Sequence, residues 1–291
     1  MKAVGVIGLG IMGSAMSANL VKARFEVCGY DPLPARRAAL KKARGQPCGS
    51  AAEVAARANI VITSLPSAEA LHEVCREIET PCIVVETSTL PIHDKLLARE
   101  ALLKKKIVLL DCPLSGTGAQ ARTRDLVVYA SGDRKSFDKT TPILRGFARS
   151  HHYLGEFGNG SKMKYVANLL VAIHNVAAAE AFVLGMRAGL DPRTIYEVIG
   201  DGGGSSRMFQ VRGPQMVAGR YDEATMKVQL WQKDMKIIGE YATKLGVPTP
   251  LFNASAALYT AAMAQGFGQQ DTASVCAVLD RMAGIQRRRA R

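Results

Sequence analysis

MKAVGVIGLGIMGSAMSANL, residues 1–20, opens the chain with a β-branched run and then three glycines spaced as Gly8-x-Gly10-x-x-Gly13. Val4 to Ile7 reads as a strand, and Ala15, Ala18 and Leu20 fall on a helix that begins inside the glycine run. In that context each glycine has a mechanical reason. The first makes the tight turn, the second lets the backbone approach a pyrophosphate, and the third lets helix and strand pack closely. The loop, with Ile11 and Met12 in it, then presents a helix N-terminus to the negative charge. The second strand ends Gly29-Tyr30-Asp31, with Asp31 18 positions after Gly13. A carboxylate there accepts hydrogen bonds from adenosine ribose hydroxyls and repels a 2′-phosphate. The stretch therefore reads as an NAD-binding loop, with NADP use left open by Arg36 and Arg37.

Outward from this loop, Phe25 to Tyr30, Ile60 to Leu65, Cys82 to Thr87, Ile107 to Asp111 and Leu126 to Ala130 also read as strands. Several are near-continuous apolar runs, as parallel strands covered on both faces must be. Alanine-rich helical segments separate the earlier ones, which is the βαβ pattern of a doubly wound sheet. Past Gly160 the strand pattern stops. Four or five helices are expected there, punctuated by residues 189–192, 200–206 and 246–248. The fold expected is an α/β Rossmann-type domain over residues 1–160 and an all-α domain over 161–291, joined by a long interdomain helix.

The bulk composition narrows the function classes. Of the 291 residues, 48% are apolar and 22% charged, as in ordinary globular proteins. A strand starting at Val4 leaves no room for a secretory leader, so the expectation is a cytoplasmic protein. The 6 cysteines form no CxxC pair and no Cys/His ligand spacing, so reduced thiols are expected, without disulfides or a bound metal. The net charge of +13 is scattered apart from Lys104–Lys106 and the terminal QRRRAR, which reads as a frayed tail. No aromatic residues interleave with these clusters, so the reading is a basic surface that attracts anions and not a nucleic-acid platform. Tyr165 to Met186 is long enough for a membrane span, which needs about 20 apolar residues. Asn168, His174, Asn175 and Glu180 interrupt it, and the reading is a helix buried in protein, with no membrane partner.

GNGSKMKYVAN, residues 158–168, places Lys164 one helical turn before Asn168. Residues at i and i+4 are neighbours on a helix surface. An apolar helix has no structural need for an ammonium followed by an amide on one face, so the pair is placed to address one small molecule.

These motifs together resemble the β-hydroxyacid dehydrogenases, the family of 3-hydroxyisobutyrate dehydrogenase and tartronate semialdehyde reductase, with 6-phosphogluconate dehydrogenase a distant cousin. GVIGLGIMGSAMSANL is similar to the family's cofactor loop. Leu65-Pro66 and Thr87-Ser88-Thr89 resemble its strand-end loops beside the nicotinamide, with Thr89 in the contacting position. DCPLSGTGAQA resembles the segment whose Ser-Gly pair binds the substrate carboxylate, here Ser115 and Gly116. GNGSKMKYVAN puts Lys164 at the catalytic lysine and Asn168 at the second asparagine. Lys233-Asp234 looks like the family's KD pair, whose lysine reaches the cofactor.

The resemblance implies hydride transfer between NAD, or NADP, and a small 3-hydroxy acid or its semialdehyde. Lys164, poised between the domains beside a cationic nicotinamide ring, is the expected general acid/base with a lowered pKa. The helical domain is expected to serve substrate binding and assembly into homodimers or homotetramers. Three positions depart from the family pattern. Thr117 replaces a third glycine and is expected to narrow the carboxylate pocket. Ala167 replaces the first asparagine, and Arg124 stands near a usual glycine, where it is expected to add charge at the rim. The alternatives are an imine reductase or a non-catalytic cofactor-binding adaptor, and the retained lysine argues against both.

Overall fold

The computed structural model describes residues 3–287. Its chain divides into two compact units, Met1–Lys164 and Tyr165–Arg291.

In the first unit, β1 (Val4–Ile7), β2 (Val27–Tyr30), β3 (Gln46–Pro47), β4 (Ile60–Thr63), β5 (Ile83–Glu86) and β6 (Val108–Asp111) form a parallel sheet of order β3-β2-β1-β4-β5-β6. The helices α1 (Ile11–Lys22), α2 (Pro34–Lys42), α3 (Ala51–Arg57), α4 (Ala68–Glu77) and α5 (Ile92–Lys104) connect the strands. Register explains the unbroken apolar runs. Val6, Ile62, Val85 and Leu110 are paired across the sheet and belong to one buried cluster. Their neighbours Val61, Val84 and Leu109 belong to another, because successive strand side chains point to opposite faces. Each of these buried side chains contributes about 1.5–3 kcal/mol, so both faces of every central strand must be apolar.

The strand read at 126–130 does not extend this sheet. It is β8 (Val127–Ala130), the middle of a separate sheet with β7 (Leu114–Ser115) and β9 (Ser150–Tyr153). β7 pairs antiparallel and β9 parallel to β8, while an Asp111–Ser131 bridge joins this sheet to the end of β6. The helices α6 (Gly118–Arg122) and α7 (Arg134–Phe147) complete this part.

The 29-residue α8 (Asn159–Arg187) starts in the first unit and continues through the second. There it is followed by α9 (Pro192–Asp201), α10 (Arg207–Ala218), α11 (Val228–Leu245), α12 (Pro250–Ala264), a 3₁₀ turn at Thr272–Ser274, and α13 (Val275–Met282). The breaks are chemically specified: Pro192 and the Asp191 cap start α9, and Gly219 and Gly246, both left-handed, end α10 and α11. Stacked Phe182, Phe209 and Tyr196 and a buried Arg212–Asp271 ion pair at 2.5 Å lie within the unit.

By length and composition alone α8 would cross a membrane. Only 39% of its most apolar window is buried, less than the buried helix expected, with Val166, Leu170 and Leu184 exposed. Asn175 is nonetheless used inside the protein, its Nδ2 donating to Tyr259 Oη and to the Thr272 carbonyl, both at 2.9 Å. The cysteines Cys28, Cys48, Cys75, Cys82, Cys112 and Cys276 are all buried free thiols. Among the described residues no cluster of His, Cys, Asp or Glu is arranged to hold a metal. Of the expected frayed tail, residues 288–291 lie outside the described residues. Arg287, counted in that tail, is anchored: it donates to Asp280 Oδ2 at 2.5 Å, to Cys276 Sγ at 3.0 Å and to the Met216 carbonyl. The buried Asp280 carboxylate requires such a cation.

Candidate active site

The loop after β1 fits a dinucleotide. Gly8 has φ +88°, and a Cβ on it would overlap the Ser64 carbonyl; one on Gly13 would overlap the Gly8 carbonyl. A Cβ on Gly10 would meet only Arg36 Nη1, at 3.9 Å. Two glycines are thus demanded by backbone packing, and the middle one keeps the surface of the loop open to a pyrophosphate. The first turn of α1 has no side-chain cap and no acidic residue, which suits its amides to an anion.

Asp31, at the tip of β2, is almost wholly buried. Its Oδ2 accepts the Leu9 amide at 2.9 Å and Arg36 Nη1 at 3.0 Å, and its Oδ1 accepts the Leu33 amide at 3.0 Å. The residue assigned from sequence to a ribose therefore also braces the glycine loop and shares its charge with Arg36. Arg37 donates to the Asp31 carbonyl at 2.6 Å.

The loops after β4 and β5 are stitched together. Ser88 Oγ accepts the Leu65 amide at 2.8 Å, and Thr87 Oγ1 donates to the Thr63 carbonyl at 2.6 Å. Pro66 is exposed and Thr89 half-buried at these strand ends. This is the carboxyl edge of the sheet, where open α/β folds bind ligands.

Ser115 pairs with Val127. Gly116 has φ +132°, and a Cβ there would lie 2.6 Å from Leu126 Cδ2, so glycine is required. Thr117 is the N-cap of α6, its amide donating to Gln120 Oε1 at 3.0 Å. Helix α6 lies on α1: a Cβ on Gly118 would overlap Ile11, and Asn19 Nδ2 donates to the Ala121 carbonyl at 2.7 Å. The Ser115–Thr117 turn thus leads into a helix packed on the cofactor helix. Arg124, expected to charge the rim of the pocket, is directed elsewhere. Its Nη2 donates to the Arg145 carbonyl in the last turn of α7 at 2.6 Å.

The start of α8 is held by the ends of β6 and β8. Gly160 N donates to Ser131 Oγ at 2.9 Å; Ser161 N and Oγ donate to Asp111 Oδ2 and Oδ1 at 2.7 and 2.8 Å. A Cβ on Gly160 would overlap the Tyr129 carbonyl, which explains the second glycine of the motif. Lys164 follows one turn later, 8% exposed, in the same unit as the glycine loop and Ser115–Gly116. Asn168, in the second unit, is buried and donates from Nδ2 to Asp234 Oδ2 at 3.0 Å. Lys233, 41% exposed, lies 3.7 Å from Asp234 Oδ1. Asp234 is therefore the residue that orients Asn168. The KD motif includes Asp234, but the family resemblance assigns a role only to its lysine.

A second feature had no signal in the sequence. Lys95 of α5 is wholly buried, with its Nζ 2.5 Å from Glu86 Oε2, 2.8 Å from Asp111 Oδ1 and 2.7 Å from the Ser88 carbonyl. Burial pulls its ammonium toward deprotonation, but Asp111 and Glu86 outweigh that pull and hold it above the usual lysine range.

Residues 3–155 match the family described as the NAD binding domain of 6-phosphogluconate dehydrogenase. Residues 158–279 match that described as NAD-binding of NADP-dependent 3-hydroxyisobutyrate dehydrogenase. The chain is 31% identical over 280 residues to L-threonate dehydrogenase of Cupriavidus necator, covering 94% of each protein. It is 30% identical to 2-(hydroxymethyl)glutarate dehydrogenase of Eubacterium barkeri, over 97% of this chain and 96% of that one. Among solved structures, 3-hydroxyisobutyrate dehydrogenase from Salmonella typhimurium superposes with a TM-score of 0.86 at 28% identity, over 96% of this chain and 100% of that one. An NAD(P)-binding α/β unit followed by a helical unit defines the class, a nicotinamide-dependent oxidoreductase. The chain belongs to the β-hydroxyacid dehydrogenase family.

Proposed function

We propose that this protein interconverts a small 3-hydroxy acid and its semialdehyde, using NAD or NADP, with Lys164 as the general acid/base. The observation that carries this reading is a buried lysine on α8 in the same compact unit as the open glycine loop and the Ser115–Gly116 turn. Similarity to two dehydrogenases named for hydroxy carboxylates supports the substrate class.

The bound nicotinamide supplies the hydride acceptor for oxidation and the donor for reduction. Gly8, Gly10, Ile11, Met12 and Gly13 would hold its pyrophosphate, Asp31 its adenosine ribose, and Leu65, Pro66 and Thr89 its nicotinamide side. Lys233 is assigned to the cofactor from the family motif alone. Lys164 Nζ, as the free amine, takes the proton of the substrate hydroxyl; as ammonium it returns that proton to the carbonyl oxygen. The Ser115 hydroxyl and the Gly116 amide orient the carboxylate, so that the reacting carbon is positioned before chemistry begins. Asn168, whose Nδ2 donates to Asp234 Oδ2, is assigned to the same substrate oxygen or to holding the ammonium of the lysine one turn away. Thr117 borders this turn. Thr117 narrows the pocket at Ser115 and Gly116 while Ala167 opens room beside Asn168, so the substrate is a compact acid of about three to five carbons. The protein works as a cytoplasmic homodimer or homotetramer.

The test is a panel of small hydroxy acids followed by NADH absorbance, with NADP in parallel. Turnover confined to short 3-hydroxy acids supports the reading. Turnover of cyclic imines without any hydroxy acid overturns it.

A further inference from the structure

We propose that the buried cluster of Glu86, Lys95 and Asp111 is a positioning device that sets the catalytic turn of α8 against the nicotinamide-side loop. The proposal rests on the reading of Lys164 as acid/base. Its geometry runs in one continuous path. The Lys95 ammonium grips the Ser88 carbonyl at 2.7 Å, next in the chain to Thr89, and the same ammonium grips Asp111 at 2.8 Å. Asp111 in turn takes the Ser161 amide and hydroxyl at 2.7 and 2.8 Å, three residues before Lys164. Ser88 continues the path to the Leu65 amide at 2.8 Å, and Glu86 Oε1 takes the Ser88 amide at 2.8 Å.

Helix α8 carries no acidic residue in its own first turn. The carboxylate that complements its N-terminus comes from β6, 50 residues earlier in sequence. A helix capped by its own residue has its dipole satisfied wherever it sits. One capped by a strand carboxylate is also fixed in register against that strand, and hydrogen bonds through both the amide and the hydroxyl of Ser161 leave little freedom of rotation. Paired charges with no solvent contact, Lys95 bonded to Asp111 and the Ser88 carbonyl and ion-paired with Glu86, specify a single arrangement where an apolar contact would tolerate sliding. Asp111 and Lys95 touch neither cofactor nor substrate in this scheme; they act through the Ser88 carbonyl and through the amide and hydroxyl of Ser161.

The experiment compares Asp111→Asn, Ser161→Ala and Lys164→Ala with the parent. Asp111→Asn should lower kcat by about 100-fold, the scale of a misplacement of roughly 1 Å. It should raise the fluorescence-measured Kd for NADH by far less than it lowers kcat, move the limb of the kcat–pH profile that Lys164→Ala abolishes, and speed amide exchange at residues 160–164 of the cofactor-free protein. Ser161→Ala should do the same to a smaller extent, and it decides the matter if Asp111→Asn does not fold. Folded variants with parental kcat, pH profile and exchange overturn the proposal, as does a loss shared equally between kcat and cofactor affinity. A fully active Lys164→Ala protein would sink the acid/base reading instead. In that case the exchange rates at 160–164 still decide whether the cluster positions the turn.

Discussion

Arg36 Nη1 lies 3.0 Å from Asp31 Oδ2, the oxygen that also accepts the Leu9 amide. The carboxylate that should exclude a 2′-phosphate is thus partly neutralised by a cation suited to receiving one. Arg36→Ala should raise the NAD-to-NADP ratio of kcat/KM by about tenfold, one charge-assisted hydrogen bond discounted for an arginine side chain that is half-exposed. An unchanged or lower ratio would show that Arg36 does not read the phosphate. Asp31→Ala is the poorer probe, because it also strips the Leu9 and Leu33 amides of their acceptor.

Lys164→Ala should reduce kcat by about 10² to 10⁴ while leaving the NADH dissociation constant unchanged. The glycine loop, residues 8–13, is a separate segment of the same unit and does not include the lysine. A variant that keeps more than half of parental turnover rejects the acid/base role.

Lys95→Met should cost about 3–5 kcal/mol of stability, because it leaves Glu86 and Asp111 buried side by side without their cation. Urea unfolding measures it through a lower midpoint at constant slope. A loss below about 1 kcal/mol would mean that one carboxylate takes up a proton at little cost.

Alkaline pH should weaken the fold through its thiols. Burial raises Cys28 and Cys75 to about 12, and Cys82 and Cys276 to about 11, from 9.0. The native state therefore keeps protons that the unfolded state releases above pH 9. The stabilisation is complete below pH 9 and falls as pH rises toward 11 or 12, with a slope of about 1.4 kcal/mol per pH unit for each thiol. Thermal midpoints from pH 8 to 10.5 test the sign, and native thiols should resist iodoacetamide until the protein unfolds.

Arg124→Gly should leave the relative KM of dianionic and monoanionic acids unchanged. The guanidinium is spent on the Arg145 carbonyl, and residue 124 has φ +62°, a conformation glycine adopts without strain. A selective loss of dianion binding would return Arg124 to the pocket rim.

The parts of this molecule legible in sequence are those governed by local periodicity. The glycine loop, the paired apolar strands and the change to a helical pattern near Gly160 each announce themselves within a dozen residues. β7 and β3 do not, because two-residue strands have no period to read. Nor does Lys95: IHDKLLARE reads as an ordinary helix with a surface lysine, and only the placement of Glu86 and Asp111 at the ends of two strands turns it inward. Asp111 itself reads as a strand terminator. Its bonds to Ser161 join residues 50 apart, a separation no window of sequence spans.

Lys95, with no exposed surface, also makes the protein carry its own reporter of local opening. An amine-reactive reagent added to the folded protein should mark the exposed Lys104 and Lys106 at once and Lys95 only when the end of the sheet breathes. The lag between the two labels, read by peptide mass, clocks that opening without any engineered probe.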